Sequence, residues 1–221
     1  MSNNIEDVMG PHAGAGLRVA GEPVESAKAA MLMVHGRGAT AESILLLANE
    51  LDVSGFTYIA PQAVGNAWYP YPFMTPMERN EPWLSSALSL LGATVRWIEG
   101  QGIAAEKIIL LGFSQGACLA TEFVARNARR YGGIASLSGG LIGPDGTPRD
   151  YPGSLEGTPV FLGCSDIDFH IPKERVLGTA RVLEELGGEV TARLYPNMDH
   201  TINMDEIEFV RGMMEGVKRK T

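Results

Sequence analysis

A mostly parallel β-sheet with helices on both faces, the α/β class, is the fold this sequence predicts, and three observations predict it. Short apolar runs alternate with longer amphipathic ones along almost the whole chain. At 108–111 an Ile-Ile-Leu-Leu run leads straight into the turn Gly112-Phe113-Ser114-Gln115-Gly116, where a buried strand must become a helix. With 221 residues, 45% of them hydrophobic and 20% charged, the chain is long enough to bury a large core as one domain, 1–221.

In chain order, the first short apolar run places a strand at 16–20. The second strand, 30–35, contains the hydrophobic stretch 31–34 and ends in His35-Gly36-Arg37-Gly38. An amphipathic helix follows at 41–51 and a third strand at 57–60. Residues 61–82, "PQAVGNAWYPYPFMTPMERNEP", are rich in Pro and aromatics and have no clear period, which reads as a lid or binding loop over a site, against a loop that only covers the sheet edge. A long helix at 83–100 precedes the strand 107–111, and the serine turn opens the helix 115–131. Strands at 133–137 and 160–163 come next. Pro172 opens the helix 173–187, the strand 190–195 leads into "PNMDH", and a last helix spans 204–218.

Composition excludes several classes of function. The formal charge of −8 leaves no concentrated basic face for nucleic acid, and the one basic cluster, Lys218-Arg219-Lys220, reads as a solvated helix end. Cys118 and Cys164 lie in apolar segments without paired spacing, so neither a disulfide framework nor a zinc site is expected, and reduced thiols fit the cytoplasm. The opening residues "MSNNIEDVMG" lack the basic and apolar regions of a leader, and no stretch approaches about eighteen apolar residues, so no membrane insertion is expected.

The serine turn carries the chemistry. A tight strand-to-helix turn forces its middle residue into a strained backbone and leaves no room for side chains on its flanks, hence Gly112 and Gly116. Ser114 is then presented at the carboxyl edge of the sheet, with the Gln115 amide at the new helix N-terminus aimed at developing negative charge. The bland alternative is a glycine-shaped turn in which Ser114 only caps the helix. A nucleophilic serine needs a base and an orienting acid, which on such a fold arrive later in the chain. His200, between a strand and the last helix, is positioned as the base. His170 stands beside the acid. Asp168 is preferred as that acid over Asp166, which becomes a turn residue or supporting carboxylate, and over Asp199, the immediate neighbour of His200. The turn after the second strand supplies the Arg37 amide as the other half of an oxyanion hole, with His35 bracing the turn.

These residues, His35-Gly36-Arg37-Gly38, Gly112-Phe113-Ser114-Gln115-Gly116, Asp168-Phe169-His170-Ile171-Pro172 and Tyr195-Pro196-Asn197-Met198-Asp199-His200, resemble the phospholipase/carboxylesterase family of α/β-hydrolases, which includes acyl-protein thioesterases and small bacterial carboxylesterases. The resemblance runs from about residue 30 to the C-terminus. It implies the α/β-hydrolase fold, Ser114 as nucleophile, Asp168 as acid, His200 as base, the amides of Arg37 and Gln115 as oxyanion donors, and no metal or organic cofactor. Relative to the better-known thioesterases the chain differs at Arg37, where they usually carry a small or apolar residue, and at Ala117 and Asp199, where they carry Gly. The 61–82 loop differs as well. These departures point to a bacterial carboxylesterase taking small to medium acyl esters, with Trp68, Tyr71, Phe73 and Phe169 as pocket walls and with Arg37 and His170 placing positive charge at the mouth. Lysophospholipase, acyl-protein thioesterase and dienelactone or lactone hydrolase remain alternatives, as does a non-catalytic ligand-binding member of the fold. Cys118, one helical turn from Ser114, is read as a core residue rather than a nucleophile. The expected partner is a small-molecule ester, and an apolar patch on the lid loop or a helix would support a homodimer.

Overall fold

The computed structural model describes residues 8–219. The reading of the opening residues as free of a leader, and Lys220 of the basic cluster, therefore lie outside the described residues.

Strands β1 (Leu17–Gly21), β2 (Ala29–Val34), β3 (Phe56–Pro61), β4 (Ile108–Phe113), β5 (Gly133–Leu137), β6 (Pro159–Ser165) and β7 (Glu189–Tyr195) form one sheet in the order β1-β3-β2-β4-β5-β6-β7. Only β1 runs antiparallel to its neighbour, β3, and the remaining pairs are parallel. The order turns back on itself between β2 and β4, and in open α/β sheets such a reversal leaves a crevice at the carboxyl ends of the strands.

The central strands are apolar on both faces because both faces are covered. Ala30, Leu32 and Val34 of β2, with Ile108 and Leu110 of β4, pack under α3 (Trp83–Gly100), α4 (Gln115–Arg126) and α5 (Lys173–Glu185). Met31 and Met33, with Ile109 and Leu111, face the other way, toward α1 (Ala41–Leu45), α2 (Leu47–Leu51) and α6 (Met204–Arg219). The two-residue period of a strand is what splits one hydrophobic run between two cores.

The helix expected over 41–51 is two short ones. Thr40 caps the first through a reciprocal box with Ser43, and around Leu46 the chain tightens to i−3 bonds, Leu46 to Ser43 and Asn49 to Leu46. The helix expected over 115–131 stops at Arg126. Asn127 leaves the helical region, Ala128 bridges to Gly153, and the Tyr131 amide donates to Thr158 Oγ1 at 2.9 Å, so tertiary partners outcompete the helix. The irregular 61–82 segment contains two brief 3-10 turns, Val64–Asn66 and Met77–Asn80.

Candidate active site

Ser114 sits at the end of β4 with φ 54° and ψ −120°, outside the regions open to most side chains. The flanking glycines are required by contact. A Cβ on Gly112 would overlap the Gly116 carbonyl one turn ahead, and a Cβ on Gly116 would overlap the carbonyl of Val34 at the end of β2. The strand and helix approach so closely that only hydrogen fits between them, and the serine is lifted out of the sheet.

Two loops complete the arrangement. His200, after β7, directs Nε2 to Ser114 Oγ at 2.9 Å and Nδ1 to Asp168 Oδ2 at 2.6 Å. The side chain of Asp168 is fully buried, and its other oxygen accepts the amides of His170 at 2.8 Å and Ile171 at 3.0 Å. Burial opposes ionisation there, but the hydrogen bonds from His200, His170 and Ile171 together outweigh it and hold the carboxyl below its usual value. An ionised Asp168 fixes the imidazole with its proton on Nδ1 and leaves Nε2 to accept from the serine hydroxyl. Asp166 has a different job: it accepts the Asn197 amide at 2.9 Å, tying the loop after β6 to the loop that carries His200. Asp199 points to solvent. Rings of Phe113 and His170 flank the His200 imidazole at centroid distances of 5.0 and 4.9 Å.

Arg37 and Gln115 line the same pocket as Ser114. Gln115 is the first residue of α4, where an amide has no intrahelical acceptor, and no acceptor among the described residues takes up the Arg37 amide. Their side chains do something the sequence did not reveal. The Arg37 guanidinium donates to the carbonyls of Tyr69, Pro70 and Tyr71 at 2.7–3.2 Å. The Gln115 amide group accepts from Trp68 N at 2.9 Å and donates to Tyr69 O at 2.8 Å. Arg37 is thus a staple for the loop over the site, and, exposed and lining the pocket, it also carries its charge at the mouth as the sequence reading placed it. His35 does brace its turn, with Nδ1 donating to Gly36 O at 2.8 Å and Nε2 accepting from Ala63 N at 3.1 Å, and burial lowers its pKa.

A pocket of about 410 Å³ opens on Ser114 and His200. Phe73 and His170 line it, as the sequence reading placed them. Trp68, Tyr71 and Phe169 do not. Trp68 is fully buried beneath the loop, where its indole donates to His35 O at 2.7 Å. Tyr71 turns outward under the Arg79 guanidinium, and Phe169 is 96% exposed. The walls are instead completed by Tyr69, Phe113 and Ile171, each the chain neighbour of a residue already singled out. Both stretches are bends rather than strands, so the sequence carries no period or register to say which side chains turn inward. Cys118 is buried, as expected of a core residue, yet its surface also lines the pocket. Burial pushes its thiol up to about 12, which keeps it protonated and unreactive at neutral pH.

His12 is a further residue that sequence reasoning missed. Fully buried, it accepts the Val64 amide on Nδ1 at 3.2 Å and donates Nε2–H to Trp68 O at 2.9 Å, and desolvation lowers its pKa. A lone histidine in a Gly- and Ala-rich stretch carries no sequence signal of a partner fifty residues on.

Comparison with known proteins agrees with this architecture. Residues 17–217 match the model of the phospholipase/carboxylesterase family. Acyl-protein thioesterase 1 of Saccharomyces cerevisiae is 27% identical over 87% of this chain and 94% of its own, and that of Debaryomyces hansenii is 25% identical over 88% and 93%. Among solved structures, a phospholipase/carboxylesterase from Dyadobacter fermentans superimposes with a TM-score of 0.89 at 44% identity, covering 95% of this chain and all of its own. The Bacillus cereus carboxylesterase, at 16% identity, shares the fold with a TM-score of 0.72 over 92% of this chain and 94% of its own. No helix among the described residues is long and apolar enough to cross a membrane.

Proposed function

Because the chain belongs to the phospholipase/carboxylesterase family of α/β-hydrolases, we propose that it is a serine carboxylesterase acting on small to medium acyl esters through Ser114, His200 and Asp168. The observation that carries this reading is the bridging imidazole, bonded to the serine hydroxyl on one side and a buried carboxylate on the other.

His200 accepts the proton as Ser114 Oγ attacks the ester carbonyl, and Asp168 holds the tautomer and stabilises the imidazolium. The negative charge that collects on the carbonyl oxygen is met by the amides of Arg37 and Gln115. His200 then protonates the departing alcohol, leaving an acyl-serine, and water repeats the sequence to release the acid. The same steps act on a thioester, the substrate class named for the fungal relatives. The aromatic and aliphatic walls contributed by Tyr69, Phe73, Phe113 and Ile171, around a cavity of about 410 Å³, favour a short to medium acyl chain over a long lipid tail.

The test is hydrolysis of p-nitrophenyl esters from acetate to palmitate by the native protein and by Ser114→Ala. Turnover of the shorter esters that falls on the order of a millionfold in the variant is expected. Activity that survives the substitution overturns the assignment of Ser114, and an optimum at palmitate overturns the size class.

A further inference from the structure

The first turn of α6 begins just after His200 and is tied down on three sides. Asn203 N–H donates to Glu206 Oε2 at 2.9 Å while Glu206 N–H donates to Asn203 Oδ1 at 3.0 Å, a reciprocal capping box. Asp205 receives the Tyr195 hydroxyl and the Arg193 guanidinium of β7, each at 2.6 Å. The Asn203 amide group also contacts the sulfur of Met198, two residues before His200, at 3.0 Å. The Glu206 side chain departs from the usual exposed cap. It is fully buried, and its Oε1 has no hydrogen-bond partner. It rests on β6 at Gly163, where any Cβ would overlap that oxygen. β6 is the strand whose following loop carries Asp168.

We propose that Glu206 is a positioning residue for His200: its buried carboxyl locks the first turn of α6 onto β6 at Gly163 and so holds the base loop at the spacing that Asp168 and Ser114 require. This rests on the reading of His200 as the base. A helix cap needs one carboxylate oxygen and works at the surface, so capping alone does not account for driving a second oxygen, unpaired, into the sheet. The contact with Gly163 does account for it, since it brings the base loop and the acid strand into one frame.

The protonation state matters to this lock. Burial pushes the Glu206 carboxyl up to about 7, opposed by the Asn203 amide and assisted by the charge on Asp205. The other titratable groups that face it are Tyr195 on β7 and Cys164 on β6, and Arg193 is engaged with Asp205. Burial favours the neutral form of the carboxyl. As pH rises through about 7 a charge forms there, so stability contributed by the neutral group is present at acid pH and is lost on the alkaline side.

Steady-state hydrolysis of p-nitrophenyl butyrate by the native protein, Ser114→Ala, Glu206→Ala and Glu206→Gln tests the proposal. Glu206→Ala should lower kcat about ten- to a hundredfold with KM nearly unchanged, the signature of a misplaced base rather than a damaged pocket. Glu206→Gln, which keeps the cap and cannot ionise, should recover most of kcat, and its ratio to native kcat should climb several-fold between pH 6 and pH 9. If Glu206→Ala does not fold, Glu206→Asp replaces it, because the shorter side chain keeps a carboxyl but cannot reach Gly163, and a lowered kcat is again expected. Melting-temperature loss with kcat unchanged, or a Gln variant as impaired as Ala with a flat ratio across pH, overturns the proposal. Full activity of Ser114→Ala overturns instead the catalytic reading on which it rests.

Discussion

The turn that presents Ser114 and the loops that face it reach their geometry by opposite means. At 112–116 the conformation is imposed within five residues: two glycines meet backbone carbonyls so closely that no side chain fits, and the serine between them has no other place to go. The 61–82 loop and the loops after β6 and β7 have no such local logic. They are held by side chains from distant parts of the chain, among them His12, Arg37, Gln115 and Asp166. Ser114 is therefore preorganised by sterics, while His200, Asp168 and the pocket wall are held by a distributed hydrogen-bond network. Local sterics are hard to disturb by degrees, and a network can be taken apart one bond at a time.

That contrast can be broken first at its most demanding bond. Asp168→Asn should lower kcat on the order of ten-thousandfold, because an amide cannot hold the His200 tautomer, whereas Asp166→Asn, which loses a loop tie, should cost far less. Steady-state kinetics on one ester separate the two. The same substitution has a signature without substrate. Since Asp168 lies below its usual carboxylate value in the folded protein, its ionised form stabilises the fold at pH above about 4. That contribution fades as pH falls through the depressed value. The stability of Asp168→Asn, followed by denaturant titration, should therefore fall less steeply in this acid range than that of the native protein.

A smaller effect is expected at the staple. Arg37→Met keeps the backbone amide and removes the bonds to the carbonyls of Tyr69, Pro70 and Tyr71. A drop of about ten- to a hundredfold in kcat/KM should result as the loop loosens over the site. A drop no larger than that of an ordinary surface substitution would show that the loop holds its shape without Arg37. The mildest change sharpens the comparison at the pocket itself. Phe73→Ala should move the preferred acyl chain to greater length, with roughly fourfold in kcat/KM for each added methylene that the enlarged wall now buries, following about 0.8 kcal/mol per CH₂. The p-nitrophenyl ester series reads that shift directly.

Legibility followed the same division. The run 108–111 and the glycine pair marked both β4 and the serine turn, and β5 was read to its ends, because consecutive aliphatics buried on both faces leave an unmistakable local trace. His200 and Asp168 are singled out by their place in the order of elements, and the structure bonds His200 to Ser114 and Asp168 to His200. Trp68, Tyr71 and Phe169 were placed in the pocket for their chemistry, and the structure puts one under the loop and two outside it. The end of α4 was missed for a related reason. Ala128 and Tyr131 are compatible with a helix and leave it only because Gly153 and Thr158 offer partners from across the fold. His12 and Glu206 act wholly through residues remote in sequence, so neither carries a local mark of its role.

What the amino-acid sequence determined by itself was the α/β alternation, the buried central strands, the strained serine turn and the order in which Asp168 and then His200 follow it. Each of these depends on contacts within one element or on the period of one element. Only the tertiary structure decided which loop residues line the pocket, that Arg37 and Gln115 spend their side chains on the 61–82 loop, and that the buried carboxyl of Glu206 rests on β6 at Gly163. Those depend on which distant groups meet, and a hydrogen bond between residues far apart in the chain has no period to announce it.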